Sequence, residues 1–243
     1  MKIIEANIQG TMSTAKIEHD IEKLSKVGWV EFVLWSEITY PKSKKALKKF
    51  YPDEKWIHVH ENTEVPISIN KKHWEYVTSG RLKTHGGLIH ISPQRFIVWV
   101  IVKHKATGAQ LVVTNSHWVS GAWRAKNSFL SWRRRMWNTH FAKHKALVKE
   151  FTSAGYSVVG GGDWNRLTVS RFTDEQSWLG HHGLDYIYTI PNASAGMSVH
   201  GIDSGRYDGY NTDHKPLWAT IRFKFNEDAK APRKVANPKA IRS

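Results

Sequence analysis

Acidic, amide and imidazole side chains stand at the ends of apolar segments along this chain. Residues 160–165, Gly-Gly-Gly-Asp-Trp-Asn, follow an apolar stretch and place Asp163 and Asn165 just beyond a predicted strand end. Sheets of α/β proteins commonly carry their chemistry at such ends, although Gly-Asp-x-Asn is also an ordinary turn composition. Comparable positions are held by Asn7, Glu37, His117, Asp185, Asp213 and His214. Groups of these types can bind a hard cation, orient water and transfer protons.

Apolar periodicity indicates the elements that would position these side chains. One helix is predicted between a Ser13 cap and Gly28, and a second within residues 122–151, with a basic face. Predicted strands cover residues 3–6, 30–35, 65–69, 96–103, 110–114 and 156–159, the segment around Asp185, and an alternating run at 217–225. Periodicity alone supports only a mixed α and β protein.

Length and charge bound the class of protein. The 243 residues, 40% of them hydrophobic, suffice for one domain, and the Ala, Pro, Lys and Arg composition after Asn226 predicts a disordered basic tail at 227–243. A net charge of +15 favours a polyanionic partner, nucleic acid first and an anionic membrane surface second. The chain lacks a membrane span and a signal peptide, so we expect a cytoplasmic protein. Without cysteine there is no disulfide-linked partner and no thiolate metal site.

Three short motifs carry a resemblance to a known family. They are Gly162-Asp163-Trp164-Asn165, Thr212-Asp213-His214, and the Leu-Asp-Tyr-Ile segment around Asp185. In this order, with Asn7, Glu37 and His117, they resemble the endonuclease/exonuclease/phosphatase superfamily, the metal-dependent phosphodiesterases related to pancreatic-type deoxyribonuclease. The resemblance covers residues 1–226 and implies a four-layer α/β sandwich of two mixed, mostly antiparallel sheets flanked by helices.

The resemblance also implies a metal site and a water-positioning group. It assigns Glu37, Asp213 and Asn7 to the metal, with Asn7 supporting Glu37 and the bound phosphate. Ser36 stands where the family usually carries Gln, so the contact made by that residue is in question. Asp163 is implied to orient or deprotonate the attacking water, and Asn165 to hold a phosphate oxygen or a second metal. Magnesium suits such a site, and manganese is an alternative.

Two histidines are implied to attend the phosphate from opposite sides. His214 is expected to act with Asp185, because a carboxylate on one imidazole nitrogen fixes the tautomer and raises the basicity of the other. His117, in Asn-Ser-His, resembles the histidine of the deoxyribonuclease branch, which pairs with a glutamate on an earlier strand. Glu64 is the candidate for that glutamate, and Glu61 and Glu75 are close enough in sequence to compete.

Two basic clusters begin near the predicted catalytic positions. Runs of charge are usually solvated surfaces, but these are placed to contact a phosphate backbone. The predicted nucleic-acid contacts are Lys44, Lys45, Arg124, Arg133, Arg134 and Arg135, with Lys126 in the same run. Trp118, Trp123 and Trp132 interleave the second cluster, and those that are exposed could stack on bases.

The combination of motifs and charge predicts a metal-dependent nuclease, with DNA favoured over RNA and an endonuclease favoured over an exonuclease. A phosphoesterase of the same superfamily acting on a phospholipid or a small phosphoester is the first alternative. The second is a nucleic-acid-binding module without catalysis, which the completeness of the residue set disfavours.

Overall fold

Two mixed β-sheets pack face to face in a computed structural model that describes residues 1–124, 129–226, 231–233 and 235. The first sheet has the order β11-β12-β1-β2-β4-β3 and consists of β1 Lys2–Asn7, β2 Val30–Ser36, β3 Trp56–Val59, β4 Ile67–Asn70, β11 Met197–Arg206 and β12 Leu217–Phe225. The second has the order β5-β6-β7-β8-β10-β9 and consists of β5 Trp74–His85, β6 Arg95–His104, β7 Gln110–Ser116, β8 Val158–Asp163, β9 Ser177–His182 and β10 Asp185–Ile190. Only β1–β2 and β7–β8 pair in parallel among these described strands.

Three helices in the described part of the chain cover the outer faces: α1 Thr14–Ser25, α2 Pro41–Phe50 and α3 Leu130–Ser153. Apolar side chains of both sheets form a core between them, including Leu217, Ala219 and Ile221 of the alternating last strand. Separate apolar clusters lie beneath α1 and α2 on one side and beneath α3 on the other. The predicted four-layer sandwich is therefore confirmed. None of the described helices is long and apolar enough to span a bilayer.

Two helices agree with the sequence prediction and one was not predicted. The Ser13 side chain accepts a hydrogen bond from the backbone N–H of Lys16 at the start of α1, and α3 occupies the second predicted region. The unpredicted helix is α2, whose lysines had been interpreted only as a charge cluster. Pro41 lies in its first turn, where proline suits a helix. Its buried side chains are only Ser43, Ala46 and Leu47, too few to give a strong apolar period.

The predicted tail lies mostly outside the described residues. Its described part contacts the end of α3, where Arg233 donates from its backbone to Ala154 O at 2.9 Å and from its guanidinium to Ser153 O at 2.7 Å. Val235 packs against the apolar cluster beneath α3. The domain boundary at 226 and the disorder of the tail both stay predictions.

His140 and His144, one helical turn apart on α3, are completely buried. The His144 ring is surrounded by aromatic side chains. Its nitrogens lie within hydrogen-bond distance of the hydroxyls of Thr114, Ser116 and Tyr188, at 3.4, 3.4 and 3.2 Å. Burial lowers the pKa of His144 to about 3 and lowers the pKa of His140 as well. Both rings are therefore neutral in the folded protein, and they attach α3 to the second sheet.

Because burial disfavours protonation of these two rings, lowering the pH destabilises the folded protein. Because the folded pKa of His144 lies below its unfolded value, its contribution to stability is present above about pH 6.5 and is lost as the pH falls towards 3. We expect His144→Gln to flatten the fall of the free energy of unfolding between pH 6.5 and 4.5 by about 1.4 kcal/mol per pH unit. Urea unfolding at several pH values measures this slope. His200→Gln, at an exposed ring, is the control, and an unchanged slope in His144→Gln would contradict the assignment.

Candidate functional site

The predicted site residues meet at one end of the sandwich. Asn7 and Glu37 lie at the ends of the parallel strands β1 and β2, and His117 and Asp163 at the ends of the parallel strands β7 and β8. Asp185 begins the antiparallel strand β10, in register with Asp163. Parallel strands bring their carboxyl ends to one edge of a sheet, and an antiparallel neighbour adds its beginning to the same edge.

Asp163 is at the centre of this group and is only 2% exposed. Its Oδ2 accepts a hydrogen bond from Asn7 Nδ2 at 3.0 Å and lies 3.4 Å from His117 Nε2 and 3.8 Å from His214 Nε2. Its Oδ1 accepts a hydrogen bond from the backbone N–H of Asn165 at 2.9 Å. One carboxylate thus faces both predicted catalytic imidazoles.

Asn7 links Asp163 to Glu37 across the two sheets. The backbone N–H of Gln9 donates to Asn7 Oδ1 at 2.9 Å, so the amide nitrogen of Asn7 faces the carboxylates. That nitrogen lies 3.3 Å from Glu37 Oε1, while Glu37 Oε2 accepts from the backbone N–H of Gly10 at 3.0 Å. Asn7 therefore orients two carboxylates. Its predicted place in the metal site stays a prediction.

The backbone is strained at two of the site residues. Glu37 has a φ of 65° and Asn165 a φ of 53°, both in the left-handed region, where side chains are disfavoured. Gly10 permits the close approach at Glu37, since a Cβ at position 10 would lie 2.6 Å from Glu37 O. Asn165 Nδ2 donates to Trp118 O at 3.0 Å, so its amide group is held against a neighbouring loop.

The predicted pair of His214 and Asp185 is present. His214 Nδ1 lies 2.8 and 3.0 Å from the two carboxylate oxygens of Asp185. Burial disfavours a charged ring, but the hydrogen bond and charge of Asp185, followed by the charges of Asp163 and Asp213, raise the pKa of His214 to about 9. Burial raises the pKa of Asp185. At neutral pH, the pair is an imidazolium bound to a carboxylate.

Asp20 on α1 holds the loop that carries His214, and no motif in the sequence indicates this role. Its buried carboxylate accepts hydrogen bonds from the backbone N–H groups of Asn211 and Thr212 at 2.9 and 3.0 Å. The Thr212 hydroxyl donates to Asn7 O at 2.8 Å and accepts from His214 N at 3.2 Å.

Asp213 points outward, with 66% of its side chain exposed and its Oδ1 3.9 Å from His214 Nε2.

His117 has two charged neighbours, one of them unexpected. Glu64 Oε2 lies 3.4 Å from His117 Nδ1, as the sequence analysis anticipated. Arg95, at the start of β6, places Nη1 2.5 Å from that same Glu64 oxygen and 2.6 Å from His117 Nδ1. Burial acts to raise the pKa of Glu64, but the charge of Arg95, with His117, lowers it to about 2. A lone arginine at a strand start gives no motif by which it could have been found.

A second unexpected residue is Glu5, which is fully buried on β1. Neither carboxyl oxygen has a hydrogen-bond partner among the described residues. Burial, with the charges of Asp185 and Asp163, raises its pKa well above the ordinary value. Burial and the neighbouring carboxylates therefore favour the uncharged form of Glu5. An acid within the apolar sequence Ile3-Ile4-Glu5-Ala6 was the available signal.

The site opens into a cleft of about 640 Å³. Glu37, Asp163 and His214 line it together with the buried Arg95 and three further arginines: Arg124, Arg133 and Arg166. Arg134 and Arg135 are exposed on the first turns of α3, and Lys126 lies outside the described residues. The lysines of α2 belong to a different surface, where Lys48 and Lys49 are engaged in ion pairs with Asp53, Glu61 and Glu18. Lys44 and Lys45 lie on this same helix.

Only one of the three tryptophans in the basic run lines the cleft. Trp118 is fully buried and stacks on Trp164 with ring centroids 4.7 Å apart. Trp132 packs edge-on against His85. Trp123 is 38% exposed, and the guanidinium of Arg166 lies 3.9 Å from its ring centroid. Arg166, which no sequence motif indicates, therefore packs on Trp123 in the cleft. We call Arg124, Arg133 and Arg166 the arginine wall of the cleft.

The site contains a group of side chains that could hold a metal ion. Among the described residues, Asp163, Asp185 and His214 bring ligand atoms within 4.8 Å of one another. Glu37 lies on the other side of Asn7 from Asp163. Oxygen ligands from one or two carboxylates suit a hard cation that keeps part of its water shell, so the carboxylates here fit the predicted ion. The predicted ligands Glu37 and Asp213 do not belong to this group of three.

Comparisons with known proteins agree with the fold. A scan of protein-family models gives no match, and neither does a search of curated protein sequences. Similar solved structures include D. rerio TDP2 complexed with a single-strand DNA product (14% identity, TM-score 0.70, 91% of this chain and 98% of that chain). An endonuclease/exonuclease/phosphatase from Bacteroides vulgatus is similar at 14% identity and TM-score 0.69, over 92% and 98% of the two chains. A mannosyl-6-phosphatase of Bacteroides thetaiotaomicron is similar at 14% identity and TM-score 0.67, over 92% and 100%.

These likenesses bear out the resemblance seen in the sequence, and they do so at the level of architecture. The chain has the α/β sandwich fold of the endonuclease/exonuclease/phosphatase proteins.

Proposed function

We propose that the chain is a metal-dependent phosphodiesterase that cleaves nucleic acid, and that it acts as a DNA endonuclease. The observation that carries this proposal is the cleft in which Asp163 faces the Nε2 atoms of His117 and His214, at 3.4 and 3.8 Å. A carboxylate between two imidazoles suits the hydrolysis of an anionic ester, which needs both an oriented water and proton donors.

The residues divide the work as follows. Asp163 accepts a proton from the attacking water, and its orientation is fixed by Asn7 and the backbone of Asn165. His214 enters as an imidazolium held by Asp185, so it contributes positive charge and a proton next to the phosphate. His117 faces the phosphate from the other side. Asn165 contributes its amide to a phosphate oxygen.

Glu37 and Asp213 are the proposed metal ligands, with Mg²⁺ or Mn²⁺ as the ion. A bound cation of this kind supplies Lewis-acid stabilisation of the phosphate oxygens. Glu37 is already oriented by Asn7 Nδ2 and Gly10 N. Asp213, being exposed, would have to turn towards the cleft.

A polymeric substrate is favoured by charge. The arginines of the cleft wall, Arg124, Arg133 and Arg166, extend from the acidic centre to the protein surface, and the chain carries a net charge of +15. Cations beyond the reacting phosphate suit a substrate with further phosphates along its backbone. The D. rerio neighbour crystallised with a single-strand DNA product supports DNA.

A small phosphoester is the competing substrate class. The mannosyl-6-phosphatase neighbour favours it, and the volume of the cleft, about 640 Å³, is sufficient for a sugar phosphate. The two classes differ in whether the arginine wall contributes to turnover.

The proposal is tested with purified protein on four substrates: supercoiled plasmid, linear DNA, RNA and mannose 6-phosphate. We expect nicking of the plasmid with Mg²⁺ or Mn²⁺, and none in excess chelator, because the carboxylate site needs a cation. Glu37→Gln should raise the metal concentration needed as well as lower the rate. Full activity in chelator would refute the metal site, and release of phosphate from the sugar alone would favour the competing class.

Asp185 and His214 should behave as one unit. We expect His214→Ala to lower the rate about 100-fold to 10,000-fold, the usual contribution of a general acid or base, with an unchanged circular dichroism spectrum. Because the carboxylate acts through the ring, adding Asp185→Asn to His214→Ala should cost little more. Losses that multiply would disprove the pair, and near-normal cleavage by His214→Ala would remove the histidine from the mechanism.

The arginine wall lines the cleft and should bind phosphates more strongly than the α2 surface, where Lys44 and Lys45 are also predicted contacts. We expect Arg124→Gln with Arg133→Gln to weaken DNA binding similarly for all sequences and to reduce the salt dependence by up to about one logarithmic slope unit per lost contact. Titration of a labelled oligonucleotide at several salt concentrations, in chelator, measures this. Lys44→Gln with Lys45→Gln removes the same charge from α2 and is the matched control. Equal effects of the two variants would indicate general charge attraction only.

A further inference from the structure

The guanidinium of Arg95 lies between Glu64 and His117 and is in contact with both. Arg95 is 5% exposed, and its Nη1 lies 2.5 Å from Glu64 Oε2 and 2.6 Å from His117 Nδ1. A terminal guanidinium nitrogen carries two N–H donors and has no acceptor. One N–H therefore points at the glutamate, and the other requires a lone pair on His117 Nδ1.

We infer that Arg95 holds His117 in the tautomer with its proton on Nε2, so that this ring is a fixed hydrogen-bond donor into the cleft. The other end of the ring agrees, since Nε2 lies 3.4 Å from Asp163 Oδ2, a carboxylate oxygen that accepts hydrogen bonds. Arg95 is thus a positioning residue. Its effect on catalysis rests on the proposed function, whereas the tautomer does not.

The two imidazoles of the site are therefore held by partners of opposite charge, His117 by an arginine and His214 by a carboxylate. Asp185 accepts at 2.8 Å from His214 Nδ1, so His214 keeps a proton on that nitrogen. Its Nε2 faces Asp163. His117 cannot present a lone pair at Nε2 without giving up its contact with Arg95, so at the cleft this ring can only donate a hydrogen bond.

Glu64 is the partner that would favour the other tautomer of His117, with its proton on Nδ1. Its Oε2 lies 3.4 Å from His117 Nδ1 and could accept a proton from it if the arginine were absent. Removing the Arg95 donor should therefore move the His117 proton from Nε2 to Nδ1. Lysine at position 95 keeps a donor-only cation, so it should preserve the tautomer.

The test is a long-range ¹H–¹⁵N correlation spectrum of the full chain labelled with ¹⁵N-histidine, with His117 assigned by the loss of its signals in His117→Gln. We expect a protonated Nε2 and an unprotonated Nδ1 in the natural protein and in Arg95→Lys. In Arg95→Met, which has no N–H donor, we expect the reverse. The signals of His144, buried elsewhere, report whether each variant is folded.

A protonated Nδ1 in the natural protein would overturn the inference, and so would an unchanged tautomer in folded Arg95→Met. If Arg95→Met does not fold, the spectra of the natural protein and of Arg95→Lys still decide the tautomer. In the plasmid assay, we expect Arg95→Met to be slower than Arg95→Lys by about 100-fold, as for loss of one oriented donor. The expected tautomer in a protein inactive on every substrate would reject the proposed function and leave the tautomer assignment standing.

Discussion

The arrangement of the site depends on one buried carboxylate, that of Asp163. It lies at the end of β8 and is approached by side chains from both sheets, through Asn7 of the first and His117 of the second. Gly162 makes this position possible, because it has a φ of 133° and a Cβ there would lie 1.9 Å from Ser116 O. A buried charge is tolerated only where hydrogen bonds and opposite charges surround it, and the neighbours of Asp163 provide both.

The charges around this centre are arranged in layers. The buried Glu5, whose pKa is raised, lies near it, beside it are the ion pairs of Asp185 with His214 and of Glu64 with Arg95, and the rim of the cleft is basic. An acidic centre inside a basic rim draws anions towards the cleft while keeping a place for a cation at its base. This arrangement accounts for a strongly basic protein whose predicted chemistry is performed largely by carboxylates.

The central strands of the two sheets could be predicted from the sequence, whereas the edge strands could not, and the reason is physical. The described strands that the sequence did not indicate, β3, β5, β9 and β11, are the strands at the edges of the two sheets. Edge strands expose more side chains, as the burial of β5 and β11 illustrates, so their apolar period is weak. Two of the site residues that were missed, Arg95 and Asp20, similarly act through burial and long-range contacts, which leave no local spacing to recognise.

The contacts that assemble the site span nearly the whole chain. Asn7 meets Asp163 across 156 positions, and Thr212 meets Asp20 and Asn7 across 192 and 205. Because β12 inserts between β1 and β11, the first sheet is completed only when the last strand arrives. Contacts of such long range form late in folding. During translation, the growing chain therefore cannot assemble the proposed site until the loop at 211–214 has left the ribosome, so any activity of that site would begin only after this loop emerges.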